Sequence, residues 1–152
     1  MIKKLYIVSG GFDPIHEGHI AMIQDCIERG ADGVIILLNS DDWLVRKKGK
    51  PFMKFASRFS VCQAIKNVVL VTPCDDSDGS VCNGLRNIRA ITMPEIELVF
   101  ANGGDRTRYN IPEIAVCNEL GIKIEFGVGG IDKKNSSSQI LSQWENHTKG
   151  EK

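Results

Sequence analysis

The chain has 152 residues, a length that suits one domain around one core, with 42% hydrophobic and 25% charged content typical of globular proteins. Nineteen basic residues balance nineteen acidic ones. That balance argues against a partner such as bulk nucleic acid or an anionic membrane. The five cysteines (Cys26, Cys62, Cys74, Cys82 and Cys117) are odd in number and form no CxxC pair, which argues against a disulfide framework or a zinc site. The opening apolar run, Leu5 to Val8, is too short for a signal peptide, and no later run could span a bilayer. The expected location is the cytoplasm.

Lys4 to Ser9 reads as a buried strand, short and apolar and followed by glycines. A loop from Gly10 to Glu17 leads into a helix over about Gly18 to Arg29, in which Ile20, Ile23 and Ile27 recur at helical spacing and Gly30 supplies the stop. Gly33 to Leu38 is a second apolar strand, so the first unit is βαβ and its strands pair in parallel. A basic loop from Asp41 to Lys54 follows, then a helix marked by Phe55, Phe59, Cys62 and Ile65. Val68 to Val71 is a third strand. The acidic stretch Cys74 to Gly79 reads as a loop closed by a helix cap, ahead of a helix through Val81, Leu85 and Ile88. Glu97 to Phe100 is a fourth strand, Pro112 to Leu120 a short helix, and Ile122 to Phe126 a fifth strand. The last helix starts in the serine run 136–138 and carries Ile140, Leu141 and Trp144, and the polar stretch 146–152 reads as a fraying tail. Three cysteines (Cys26, Cys62, Cys117) fall on apolar helix sides, as small core residues do. Five strands alternating with helices predict a doubly wound α/β domain, whose ligands bind beyond the carboxyl ends of the strands.

Polar residues gather at those ends. The sharpest group is Gly10-Gly-Phe-Asp-Pro-Ile-His-Glu-Gly-His19. Three-residue spacing sets His16 and His19 on one side of a helix start, where backbone N–H groups and the dipole favour anions, and Gly18 lets a phosphate approach. A metal centre built on these histidines would need further ligands at metal-site spacing, and none lies nearby. Arg46-Lys-Lys-Gly-Lys50 places four cations in five residues, a pattern that alone reads as a solvated loop but after a strand suits phosphate groups. Asn102-Gly-Gly-Asp105 reads alone as a glycine turn. At a site, Gly103 lets the backbone lie close to a nucleotide and Asp105 accepts from ribose hydroxyls. Ser136, Ser137 and Ser138 read alone as helix caps, and beside a ligand as a phosphate cradle.

His16-Glu-Gly-His19 is the HxGH motif, and on it the chain resembles the cytidylyltransferase-like nucleotidyltransferases. Within them it is most similar to the heptose-phosphate adenylyltransferase domain of ADP-heptose synthase and to glycerol-3-phosphate cytidylyltransferase. Four blocks carry the resemblance over nearly the whole chain: Gly10 to His19, Asn39-Ser-Asp41 with the lysines after it, Asn102 to Asp105, and Ser136 to Ser138. The resemblance implies a Rossmann-like five-stranded parallel sheet with helices on both faces, a single domain over residues 1–145. It implies transfer of AMP or CMP from a nucleoside triphosphate to a phosphorylated small molecule, a sugar or polyol phosphate, with release of pyrophosphate and with Mg2+ bridging phosphate oxygens. Nicotinamide mononucleotide, pantetheine phosphate and flavin mononucleotide are alternative acceptors, and a non-catalytic nucleotide-binding module is an alternative role.

By the same resemblance His16 and His19 bind the triphosphate and stabilise the transition state, with Lys47 and Lys50 as the catalytic lysines of the basic loop. Gly10, Gly11, Phe12, Asp13, Gly18, Gly103, Asp105 and the three serines bind nucleotide, with Asp13 near the phosphates and magnesium or else a turn aspartate. Arg46, Asp41 and Arg58 fall to the substrate, although Arg58 also reads as a solvated helix arginine. The chain departs from its relatives in an all-serine run and in Lys133 and Lys134, which stand close to it. Relatives are often dimers, which makes a homodimer one assembly the resemblance allows, although no interface is identified in the sequence.

Overall fold

The computed structural model describes residues 1–104, 111–130 and 136–150. Its elements are β1 (Lys4–Gly10), α1 (Glu17–Glu28), β2 (Gly33–Leu38), α2 (Asp41–Lys48), α3 (Phe55–Gln63), β3 (Val68–Pro73), α4 (Cys82–Ile91), β4 (Glu97–Ala101), α5 (Ile114–Leu120), β5 (Lys123–Glu125) and α6 (Ser137–Gly150). The five strands form one parallel sheet in the order β3-β2-β1-β4-β5. The fold is the expected doubly wound one.

Period-two alternation in the strands sorts the core into two layers. Leu5 and Ile7 of β1, Ile35 and Leu37 of β2, and Leu98 and Phe100 of β4 face α4 and α5, which contribute Leu85, Ile88, Val116 and Cys117. Tyr6, Val8, Val34, Ile36, Leu38 and Val99 face the other way, onto Ile23 and Cys26 of α1 and Cys62 of α3. Both faces of β2 are covered, and all six of its residues are buried, which is why its sequence is a continuous apolar run. Each such Ile or Leu contributes roughly 1.5–3 kcal/mol of burial. The chain winds from β1 outward to β3, then returns to lay β4 on the opposite side of β1. The connections from β1 and β4 therefore leave in opposite directions, and a crevice opens beyond their carboxyl ends.

One element differs from the sequence expectation. The basic loop is a helix over Asp41–Lys48, capped by the Ser40 side chain, which accepts from the Trp43 N–H. Asp41 and Asp42 occupy its first turn and Arg46, Lys47 and Lys48 its last, so both ends complement the helix dipole. Gly49 ends it in the left-handed conformation, φ 90°, which a side chain would strain. At the other terminus α6 runs on to Gly150, so residues 146–150 are helical where a frayed tail was expected.

All five cysteines are free thiols, and Cys26, Cys62, Cys74 and Cys117 are buried. Burial pushes the Cys26 and Cys117 thiols up to about 12 and those of Cys62 and Cys74 up to about 11, so they remain protonated core residues. Among the described residues no helix is long and apolar enough to cross a membrane.

Candidate active site

The loop after β1 turns directly into α1, with His16 as the N-cap residue and His19 three places on. That spacing is the spacing of a capping box, and the two imidazoles form one. The Gly18 N–H donates to Nδ1 of His16 at 3.0 Å, and the His16 N–H donates to Nδ1 of His19 at 3.1 Å. An Nδ1 that accepts carries no proton, so each neutral ring keeps its N–H on Nε2. The rings lie with centroids 4.0 Å apart, and Phe12 packs 4.5 Å from His19. Burial, and then the neighbouring His16, lower the His19 pKa to about 3. His19 is therefore a fixed neutral donor at physiological pH.

Two adjoining cavities open here, of about 390 and 250 Å3, and both are lined by His19, Lys47 and Ser137. The larger extends under β1 and β2 along Gly10, Gly11, Phe12 and Asp13 to Asn39, Trp43, Lys48, Gly79 and Glu113. The smaller runs from His16 and Gly18 past the serines at the start of α6 to Gly103, Gly104 and Val128–Gly130. The cleft thus has two lobes that meet at an imidazole, an ammonium group and a helix start. Ser136 caps α6 through its hydroxyl, which accepts from the Gln139 N–H, and Ser137 donates its hydroxyl to the Pro14 carbonyl at 2.7 Å. The second bond ties α6 to the loop that carries His16.

The cleft therefore brings together His16, His19, Gly10, Gly11, Phe12, Asp13, Gly18, Lys47, Gly103 and the three serines. Asp105 lies outside the described residues, as do Lys133 and Lys134. Lys50 lines a separate groove with Phe52 and Trp144. Arg46 turns away to the Asp76 carbonyl at 2.7 Å. Asp76 also accepts from Asn39, from Ser40 N–H and from the Ser40 hydroxyl. Burial alone would raise the Asp76 carboxyl, but these bonds outweigh it and hold its pKa down.

Arg58 and Asp13 differ most from expectation. Arg58 is neither a substrate ligand nor a solvated arginine, because its side chain is 0% exposed. It donates to the carbonyls of Met53, Gly11 and Asn39 and to the Asp41 carboxylate at 2.6 Å. One guanidinium thus joins the ends of β1 and β2 to the starts of α2 and α3, and Asp41 serves it rather than a ligand. Asp13 is 1% exposed and does not fit a magnesium ligand. Its two oxygens accept from Phe52 and Met53 N–H, and Lys48 binds both its carboxylate, at 3.3 Å, and its carbonyl, at 2.6 Å. Among the described residues no cluster of three His, Cys, Asp or Glu side chains is placed to hold a metal ion.

Trp43, Gly79 and Glu113 line the larger lobe without having been picked out of the sequence, whereas Asn39 and Lys48 belong to blocks that were. Lys47 lies over the Trp43 ring at 4.9 Å, a contact that follows from their i, i+4 spacing once the segment is helical.

A parallel doubly wound sheet, with two helix starts and a lysine converging on the crevice at its winding reversal, is a nucleotide-binding α/β domain. The chain belongs to the cytidylyltransferase-like family, whose model matches residues 7–140. It is 33% identical over 123 residues to the bifunctional protein HldE of Gluconobacter oxydans, covering 80% of this chain and 24% of that protein. To HldE of Haemophilus influenzae it is 29% identical over 114 residues, covering 68% and 24%. The chain spans about a quarter of the length of these curated relatives. Its fold is similar to that of a lipopolysaccharide core biosynthesis protein from Thermoplasma volcanium, at a TM-score of 0.60 and 17% identity over 83% of this chain and 94% of that one. It is also similar to NadR protein in complex with NAD and AMP-PNP, at a TM-score of 0.57 and 18% identity over 98% of this chain and 45% of that one.

Proposed function

We propose that this chain transfers the nucleotidyl group of a nucleoside triphosphate to the phosphate of a small acceptor, a sugar or polyol phosphate, and releases pyrophosphate. The observation that carries this reading is the meeting of two lobes at His19, Lys47 and Ser137. The reacting α-phosphate belongs at that junction. The triphosphate lies along the starts of α1 and α6, where the Nε2–H donors of His16 and His19 and the dipoles of the two helices suit anionic oxygens. The far end of the smaller lobe, at Gly103, Gly104 and Val128–Gly130, carries no charged side chain among its lining residues, which suits the nucleoside. The larger lobe takes the acceptor, with Lys47 at its phosphate end and Asn39 and Glu113 able to meet hydroxyls.

An acceptor phosphate oxygen attacks the α-phosphorus in line, and the bond from that phosphorus to the bridging oxygen of the β-phosphate breaks. Its electron pair leaves with pyrophosphate. A phosphate monoester is already an anionic nucleophile, so the protein's part is positioning and charge stabilisation. Neutral His19 suits this part, since it donates from Nε2 without a proton being taken away. Magnesium belongs with the triphosphate as substrate, on phosphate oxygens, since Asp13 is committed elsewhere.

The test is pyrophosphate release with each nucleoside triphosphate and magnesium against a panel of sugar, polyol and mononucleotide phosphates. At least one pair should turn over only with both substrates present. Nucleotide binding with no release for any acceptor phosphate would point instead to a non-catalytic module.

A further inference from the structure

One wall of the larger lobe is the loop between β3 and α4. Gly79 and Val81 of that loop line the lobe, as does Asn39 at the end of β2. Leu37 packs toward α4. Side chains alternate along a strand, so Asn39, two residues on, points to the same side. There it meets Asp76. The Asn39 amide nitrogen donates to Asp76 Oδ2 at 3.0 Å, and the Ser40 N–H and hydroxyl donate to the same carboxylate at 2.8 and 2.6 Å. Further along, the Val81 N–H donates to Glu113 at 3.1 Å. The loop is thus anchored at two points, and Asp76 supplies the one next to β2.

A carboxylate can only accept, and the bonds around Asp76 hold its pKa down and keep it ionised. Asn39 must therefore turn its NH2 toward Asp76 and its amide oxygen the other way. The backbone of Asn39 is spent as well. Its N–H donates to the Gly10 carbonyl at 2.9 Å, and its carbonyl accepts from Arg58 at 2.8 Å. Of its polar atoms Oδ1 alone has no partner among the described residues, and unlike Asn102 Oδ1 it is not enclosed by protein. Asn39 thus shows the lobe an accepting oxygen. Asp76 itself lines neither lobe.

We propose that Asp76 is a positioning residue for acceptor selection: by holding the Asn39 amide it presents Oδ1 to the acceptor, and so selects phosphates that bring a hydroxyl donor to that point. An asparagine free to turn would offer NH2 as readily as oxygen, and would take a hydroxyl or an acceptor-only group such as a carbonyl or a fluorine. The held amide meets an acceptor-only group with its own lone pairs. A buried acceptor left unpaired in this way is what lets a site reject a close analogue. The inference rests on the reading that the larger lobe takes the acceptor.

The test is pyrophosphate release by the full chain with sugar and polyol phosphates, among them glucose, ribose and glycerol phosphates, and with deoxyfluoro analogues of the acceptor that turns over fastest. Fluorine fills the place of a hydroxyl and cannot donate. For at least one position the parent should use the fluoro analogue about tenfold or more less efficiently in kcat/KM, mainly through KM. Asp76→Asn gives Asn39 a partner in either orientation, so the penalty should fall to about threefold or less with the KM for nucleoside triphosphate unchanged. Ser40→Ala removes another donor of Asp76 and leaves the Asn39 bond, so it should keep the parental penalty. Should Asp76→Asn fail to fold, Asn39→Ala, which deletes the accepting oxygen, should lower the penalty in the same way. A parent indifferent to every fluoro analogue, a penalty undiminished in Asp76→Asn or Asn39→Ala, or an equal loss of it in Ser40→Ala overturns the inference and leaves the functional reading standing. A parent that releases no pyrophosphate with any acceptor phosphate overturns that reading, and this inference falls with it.

Discussion

The start of α1 and the end of α2 face the same cleft and serve it by opposite means. At α1 the donors are neutral. Two imidazoles are locked by backbone N–H groups at 3.0 and 3.1 Å, so their protons are committed to Nε2 before any ligand arrives. At α2 the donors are charged, yet most of the charge goes elsewhere: Arg46 to the Asp76 carbonyl, Lys48 to Asp13, and Lys50 to a separate groove past Gly49. Of the four cations Lys47 alone lines both lobes. The density of charge along a chain therefore overstates the charge delivered to a site. What counts is which donors the scaffold has not already used, and in what orientation it holds the rest.

The comparison can be broken first at the scaffold behind both regions. Arg58→Ala removes the partner of four acceptors, among them the buried Asn39 carbonyl and the part-buried Gly11 carbonyl, and should cost roughly 3–5 kcal/mol of stability by urea unfolding. Parental stability would mean that Arg58 does not join the two halves of the site. Next, His16→Ala and His19→Ala should each slow turnover by about two to three orders of magnitude, while losing the capping box costs only roughly 0.5–2 kcal/mol of stability. The α2 cations should then separate by role. Lys47→Ala should melt like the parent and lose about tenfold or more in kcat/KM, whereas Lys48→Ala should lose roughly 1.5–3 kcal/mol of stability with its charged hydrogen bonds to Asp13. Arg46→Ala and Lys50→Ala should have the smallest kinetic effects. Equal losses at all four positions would make the basic segment a diffuse field and erase the contrast with α1.

A pH series sharpens the same contrast. His19 is depressed to about 3 in the folded chain from an ordinary 6.5. Between those values the unfolded chain binds the extra proton, so its contribution to stability is complete above pH 6.5 and falls as the pH drops toward 3. The slope approaches about 1.4 kcal/mol per pH unit, and His19→Asn should flatten it in urea unfolding at pH 5 and pH 7.

Much of this fold was legible because each strand is a short apolar run ending at a glycine or polar residue. The first block was legible because His16 and His19 carry an unusual pair at capping-box spacing. α2 was not, since its three apolar residues, Trp43, Leu44 and Val45, are adjacent and show no helical period. Its real signals were local ones: the Ser40 cap, the acidic first turn, the basic last turn and Gly49. Arg58 and Asp13 left no local trace at all. Their partners are backbone groups up to 47 residues away, brought together by strand ends that converge once the sheet has formed. The acidic stretch after β3 is likewise explained by a distant partner, with Asp76 anchoring Asn39 and Ser40 beside the cleft.

The central claim, that two histidines locked as neutral Nε2–H donors form the phosphate end of the cleft, is tested most directly by imidazole 15N NMR. The chain has three histidines, so the signals can be assigned with His16→Ala and His19→Ala. His16 and His19 should both report the Nε2–H tautomer at pH 7, with His19 unprotonated down to about pH 4. Both should shift on addition of a nucleoside triphosphate while His147 stays put. An Nδ1–H tautomer, a His19 titration near 6.5, or no response to any nucleoside triphosphate would contradict the account.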